Sequence, residues 1–370
     1  MANSDANSNF IGPQSCQPCH EEIYRSFIQT AHFRTSQVAS HDTIKGSFAE
    51  GRNVLKTRNP SVYFKMEQRD DGFYQIGYQR FDEEIRTRSE RFDLVTGSGR
   101  RGQTYLYWSR NRLFQLPVSY LAERDRWINS PGFTDGEIRF DRLIEPRCLE
   151  CHATFFSVQE GFEYGNDYLL GVACEKCHGA GSKHVELHSA RRAAKSGAFI
   201  LNPRSLSREK KIAGCALCHS GPLTPKRPVF SYQPGQPLED YFFQSGPGAS
   251  AEPDVHGNQV ALLRSSRCFV ASAKMSCSTC HDVHKEQRNT ALLAQKCMQC
   301  HQPRDCGTVR RVGERARELC VDCHMPKRTS QAVRISSAAE SAAPSLRTHA
   351  IRIYPDDAKT VLKGLPLAPE

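Results

Sequence analysis

Seven copies of the pattern C-x-x-C-H constrain this chain more than anything else in it. They are Cys16/Cys19/His20, Cys148/Cys151/His152, Cys174/Cys177/His178, Cys215/Cys218/His219, Cys277/Cys280/His281, Cys297/Cys300/His301 and Cys320/Cys323/His324. With 16 Cys and 14 His in 370 residues, random placement would yield only about 0.03 copies of such a pattern. Two cysteines three apart can each bond one vinyl-derived carbon of a porphyrin, and the adjoining histidine reaches the iron, so each copy reads as an attachment site for haem c. Structural zinc pairs two C-x-x-C knuckles and gives no reason for a His after every second Cys. A dithiol redox site needs one pair, not seven.

Seven haems also account for a composition that is otherwise poor for a core: 38% apolar residues and a mean hydropathy of -0.57. Porphyrin supplies the missing apolar volume, at about 50 residues per haem, and its loss should unfold the chain as metal loss unfolds small metallodomains. The formal charge of +10 invites a nucleic-acid partner. Each ferric haem, however, adds about -1, bringing the loaded chain to roughly +3 oxidised and about -4 reduced. The arginines are better matched to haem propionates, which they meet through two parallel hydrogen bonds. No nucleic-acid partner is expected, and redox proteins are. Haem attachment of this kind belongs to the periplasm or the cell exterior. The opening Met1-Ala-Asn-Ser-Asp has neither the basic nor the apolar region of a signal peptide, so a trimmed leader is expected. No run approaches the length of a transmembrane span.

After His20, Ile23, Phe27 and Ala31 fall at i, i+4 and i+8, which predicts a helix running to His32. His32 would then lie about 18 Å along it from His20, too far to share an iron and free to ligate a neighbour's. Residues 45–147 carry no motif. Alternation in Ser61–Glu67 and Phe73–Tyr78 around Asp70-Asp71-Gly72 predicts a hairpin, and Tyr105–Trp108 with Leu113–Leu116 a second. Gly97-Ser-Gly99-Arg-Arg-Gly102 spells the dinucleotide fingerprint, but a strand-like run follows where a helix is required, so a tight turn is the better reading.

The first motif followed by Tyr24, Phe27, Thr30 and His32 resembles the opening of the cytochrome c-554 family, related to hydroxylamine oxidoreductase, with Phe27 where that family commonly has Trp. The run Cys174–His184 resembles the same family's C-x-x-C-H-G-x-G-x-x-H, and residues 97–133 resemble a β-rich portion of uncharacterised relatives. The resemblance implies that His32 is a distal ligand to another haem. It implies likewise that Asp254-Val-His256 and the returning segment Arg347-Thr-His349 bring imidazoles back to upstream haems. His184 and His188, four apart, share a helical face and could serve two irons, or one could be solvated. His284 is too close to His281 to cross its own haem and should serve an adjacent one.

Outside the motifs stand His32, His41, His184, His188, His256, His284 and His349: seven imidazoles for seven irons, permitting bis-histidine ligation throughout. His41, in a polar run, is the weakest candidate, with Met66, Met275, Met298 and Met325 as substitutes. Cys268 and Cys306 remain after the seven pairs and are expected to form a disulfide.

The predicted fold is mainly α with much irregular structure, organised around seven haems, with a small β-rich insertion between haems one and two. The expected domains are 1–44 with haem 1, the insertion 45–147, a haem-rich 148–330, and a linker with returning segment at 331–370. The expected function is an electron relay between periplasmic or extracellular partners. Two alternatives stand beside it: an oxidoreductase acting on a small nitrogen or sulfur compound at one open haem, and a subunit of a homo-oligomer or conductive filament in which a His such as His41 ligates the next subunit's haem.

Overall fold

The computed structural model describes residues 9–190, 197–243, 257–330, 335–337 and 341–363. The chain divides into two compact units, one of residues 1–202, 227–234 and 333–343, the other of 203–226, 235–332 and 344–370. The first holds motifs 1 to 3, the second motifs 4 to 7.

The first unit is built on antiparallel sheet. One sheet has four strands, Val54–Lys56, Val62–Arg69, Gly72–Phe81 and Glu84–Arg91, in sequence order. A seven-stranded sheet runs Ser36–Val38, Leu94–Thr96, Gly102–Ser109, Arg112–Gln115 and Arg142–Leu143, with Val118–Leu121 and Arg126–Asn129 branching from it. Both predicted hairpins are present: Arg69 pairs with Gly72 across Asp70-Asp71, and Ser109 with Arg112. Val62, Phe64 and Met66 alternate inward, as period-two side-chain geometry requires. They join Tyr105, Leu116, Val118, Tyr120, Trp127 and Phe140 in one core. Gln75, fully buried, ties the two sheets by donating to Val118 O (3.0 Å) and accepting from Val118 N (2.8 Å). The glycine-rich stretch is the turn between Leu94–Thr96 and the strand Gly102–Ser109, with Gly97 at φ 93 and Gly99 at φ 77.

A second core explains how the sheet carries the second motif. Leu94, Leu106 and Leu113 pack with Leu149, which lies between Cys148 and Cys151 on the helix Pro146–His152, and with Phe155, Phe156, Tyr164 and Phe230. The strands Ala153–Val158 and Tyr164–Leu170 follow as a two-stranded ladder.

The expectation of a mainly α fold is therefore corrected: helix amounts to 33% and strand to 25%. Many strands have only three or four residues, too short to display alternation, and the apolar run Ala153–Val158 carries none. The first helix also stops early. It spans Glu21–Phe27, after which buried Thr30 returns its hydroxyl to Phe27 O (2.7 Å), so His32 is not on it and the 18 Å rise does not apply.

The second unit contains short helices, the longest being Arg208–His219, and a pairing of Lys327–Thr329 with Ser345–Arg347. Among the described residues, Ile212, Ala216, Val260 and Phe269 form one small buried apolar cluster, and Val312, Ala316 and Leu362 form another. Among the described residues, no helix is long and apolar enough to cross a membrane.

Candidate haem-binding sites

Each motif folds as one turn that places its two cysteines and its histidine at i, i+3 and i+4. Motifs 2, 3, 4 and 7 lie within the helices Pro146–His152, Cys174–His178, Arg208–His219 and Cys320–His324. In the other three the His amide closes a turn on the first Cys carbonyl: His20 N to Cys16 O at 3.0 Å, His281 N to Cys277 O at 2.9 Å and His301 N to Cys297 O at 3.0 Å. Positions i, i+3 and i+4 of a helical turn lie side by side. Local capping sets these turns. Pro146 stands at a helix start, and Ser276 and Thr279 form a capping box at motif 5.

Five imidazoles have Nδ1 engaged by an oxygen: His152 by Thr35 Oγ1 (3.0 Å), His178 by Leu201 O (2.8 Å), His184 by Ala198 O (2.8 Å), His281 by Gln287 Oε1 (3.3 Å) and His324 by Arg352 O (2.9 Å). A backbone carbonyl only accepts, so His178, His184 and His324 carry a proton on Nδ1, which makes Nε2 the acceptor nitrogen of the neutral ring. That is the support a metal-binding imidazole requires. Four of the five are motif histidines, and the fifth is His184.

The remaining candidates divide by environment. His188 lies with its ring centre 4.6 Å from that of His184, and its Nε2 is buried without a hydrogen-bond partner. His349 Nδ1 is likewise buried and unpartnered. Its ring centre is 6.1 Å from that of His281, and buried Ser266 holds the segment by donating to His349 O (2.8 Å) and accepting from Ile351 N (2.8 Å). Burial, with the neighbouring His281 ring adding to it, holds the His349 imidazole down to about 4, while the Arg347 backbone, near the ring but outside hydrogen-bond geometry, offsets this slightly. His219 is also lowered by burial and by His281. His32 passes its carbonyl to Val172 N (2.9 Å), and His284 is partly exposed beside Asp282. His41 is turned to solvent, its side chain 85% exposed, with Nδ1 3.7 Å from Asp42. His256 lies outside the described residues. Of the methionines named as substitutes, Met66 belongs to the sheet core, Met275 packs against Ile212 and its neighbours, and Met298 lines a cavity of about 460 Å³ with Gln295, Arg317 and Glu318.

The motifs also meet in pairs. Cys16 is a close neighbour of Cys174, Cys215 of Cys277, and Cys297 of Cys320. The elements bearing them pack together in the same way, Pro13–Cys16 with Cys174–His178, Arg208–His219 with Cys277–Cys280, and Thr290–Cys297 with Cys320–His324, and Cys277–Cys280 packs against Thr290–Cys297 as well. With haem attached, these sulfurs would be thioethers rather than thiols. While they are thiols, the neighbouring cysteine lowers Cys277 to about 7 and pushes Cys16 and Cys320 up.

Sequence spacing treats the two cysteines of a motif as equivalent, and the structure does not. Each of these three contacts joins the first cysteine of one motif to the first cysteine of another. The second cysteine differs from the first in exposure in several motifs. In motifs 1 and 6 it is exposed, at Cys19 and Cys300, while Cys16 and Cys297 are half-buried; in motif 4 Cys218 is half-buried like Cys215. Cys300 lies near Cys280 of motif 5. None of Cys19, Cys218 and Cys300 is joined in a disulfide. Cys268 and Cys306 are not joined either, contrary to expectation. Cys268 sits near Cys280 and Cys297, and Cys306 near Cys323, so each is drawn to a different motif.

Two residues inside the motifs were missed as mere spacers. Glu150 is 1% exposed, with Oε2 on Arg147 Nη1 (3.0 Å) and Oε1 accepting from Phe230 N (2.6 Å); Arg147 also reaches Cys151 Sγ (3.2 Å). Glu175 accepts three backbone amides. The acid between the cysteines was the available signal, but its partners are distant in sequence.

These residues fit haem c. They offer paired cysteines beside an imidazole whose Nδ1 is engaged, and buried ring nitrogens without hydrogen-bond partners at His188 and His349. Among the described residues no three His, Cys, Asp or Glu converge as a site for a bare metal ion, which four-ligand zinc requires.

Comparison with known proteins agrees. Residues 107–179, which include motifs 2 and 3, match the family model described as cytochrome c554 and c-prime. The chain is similar to the dissimilatory sulfite reductase MccA of Wolinella succinogenes, at 23% identity over 330 residues and 75% of this chain, and it spans 42% of that protein's length. Its fold resembles the crystal structure of the outer cell wall cytochrome OcwA, with a TM-score of 0.59 and 17% identity, covering 95% of this chain and 81% of the other. With seven C-x-x-C-H turns set out as above and these likenesses beside them, the chain is a multihaem c-type cytochrome.

Proposed function

We propose that this cytochrome carries seven haems c and relays electrons between redox proteins outside the cytoplasm. The contact of motifs in pairs through Cys16/Cys174, Cys215/Cys277 and Cys297/Cys320 carries this reading. Attachment sulfurs in contact put the attached groups next to one another, as a relay needs. Both cysteines of each motif hold its haem in this reading, with Cys19, Cys218 and Cys300 as the second attachment points of motifs 1, 4 and 6. The axial ligands are proposed to be His20, His152, His178, His219, His281, His301 and His324 on one side, and His32, His184, His188, His256, His284 and His349 on the other. For His281 and His349 the spacing is specific. Two imidazoles on opposite faces of one iron, each with a metal–nitrogen bond of about 2 Å, have ring centres roughly 6 Å apart, against 6.1 Å here. The 4.6 Å between His184 and His188 is too short for one iron, so these two serve different haems.

His41 favours a second reading. With that side chain in solvent, the chain offers six further imidazoles for seven irons. One iron is then open to a small nitrogen or sulfur oxyanion, in keeping with the reductase named among the relatives, or to a histidine of a neighbouring subunit. Low-temperature EPR of the oxidised protein separates the readings. The relay predicts low-spin ferric signals that are indifferent to added sulfite or nitrite. A high-spin component that shifts on adding either anion overturns a pure relay in favour of an enzyme.

A further inference from the structure

Glu175 lies between Cys174 and Cys177, yet its carboxylate serves the segment that leads into the first motif. It is 3% exposed. Oε1 accepts from Ile11 N (3.1 Å) and Gly181 N (2.8 Å), and Oε2 from Gly12 N (2.9 Å). Three neutral amides thus converge on one carboxylate, and no charge of opposite sign contributes to these bonds. Ser182 Oγ donates to Asn9 Oδ1 (3.2 Å), so residues 9–12 lie along the loop after motif 3. Gly12, at φ 79, then turns the chain into Pro13–Cys16 and delivers Cys16 to Cys174. The neighbouring Lys176 aims elsewhere, at Thr154 O (3.3 Å) and over the Phe230 ring (4.9 Å).

The charge on Glu175 reaches both sulfurs: it acts on Cys16 and on Cys174 in the same direction, against negative charge at either. Once the sulfurs are thioethers they no longer titrate, but the field remains. A buried negative charge disfavours adding an electron to a nearby haem, and net charge near the site is one of the levers that set haem potentials.

Building on the relay reading, we propose that Glu175 is a positioning residue that clamps the first haem-binding turn against the third and lowers the reduction potentials of haems 1 and 3 together. These two would then be a low-potential pair within the first unit. The pair is defined by one shared carboxylate rather than by two separate environments.

The test is a potentiometric titration of the intact, haem-loaded protein, followed by EPR, for Glu175→Gln and Glu175→Asp. In Glu175→Gln, two haems shift upward together while the others stay within error of the parent. Glu175→Asp keeps the charge and leaves all potentials near the parent, but it shortens the clamp and speeds protease cleavage within residues 9–15. A Gln variant with no shift, or with one haem shifted alone, overturns the proposal, as does an Asp variant that shifts as far as Gln. If Glu175→Gln does not mature, unchanged cleavage of Glu175→Asp overturns it. None of these results depends on whether an iron is open to sulfite or nitrite, so the relay reading stands or falls separately.

Discussion

Replacing Glu150 by Ala removes a carboxylate that is 1% exposed and takes an acceptor away from two donors. One is the Phe230 amide, now 2.6 Å from Oε1; the other is the Arg147 guanidinium, 3.0 Å from Oε2, on a side chain only 19% exposed. Breaking a buried ion pair by removing one partner costs about 3–5 kcal/mol. A stranded buried amide costs about 1–3 kcal/mol. The two losses share one site and do not add in full, and Arg147 keeps its contact with Cys151 Sγ, so the expected cost is about 4 kcal/mol. Glu150→Gln retains an acceptor for Phe230 and should cost about half as much. Urea unfolding of the haem-loaded protein, followed by far-ultraviolet circular dichroism, measures both. The double variant Arg147→Met with Glu150→Leu should recover most of the loss, because an apolar pair of similar volume often replaces a buried ion pair without penalty. A cost below about 1 kcal/mol for Glu150→Ala, or a double variant less stable than the single one, would refute the claim that this pair anchors the second motif.

Three further outcomes are expected. His349→Ala should convert one haem in seven from low-spin to high-spin while the seven attachments persist, and an unchanged EPR spectrum would remove His349 from the ligand set. Gly171→Ala forces a side chain onto a backbone at φ 68, with Cβ 2.1 Å from Phe33 O. It should lower stability by about 2 kcal/mol or more in thermal unfolding, and a neutral result would contradict the packing of the first haem segment against the third. Asp357 is held below its ordinary value of 3.8 by its two bonds to Arg328, each 2.8 Å. A lowered folded value means that the stabilisation is complete above the ordinary value and disappears as pH falls through the lowered one. Asp357→Asn should therefore make the acid limb of the stability profile shallower and leave the neutral region nearly parallel to the parent.

The C-x-x-C-H turns were legible as turns because everything that defines them sits within five residues, the span of one helical turn. The difference between the two cysteines of a turn was not legible, because it is set by which partner motif packs beside Cys16 or Cys297 and leaves Cys19 or Cys300 exposed. The hairpins at Asp70-Asp71 and between Ser109 and Arg112 were legible for the same local reason as the turns. What escaped was set at long range. The sheet that carries Leu149 is assembled from strands such as Ser36–Val38 and Leu94–Thr96, which come from opposite ends of a long stretch and are too short to declare a period. The helix after His20 was drawn too long because its apolar spacing continues past Phe27, while the hydroxyl of Thr30 ends it. Nothing in the sequence marks Glu150 and Glu175 as buried, since their acceptor roles depend on Phe230, Ile11 and Gly12, none of which is near them in sequence.

Intact mass spectrometry of the natively matured chain tests the central claim most directly. Seven covalent porphyrin additions are expected, one for each C-x-x-C-H turn, with no loss under denaturing conditions. Fewer additions, or a chain that holds zinc through unmodified thiols, would contradict it.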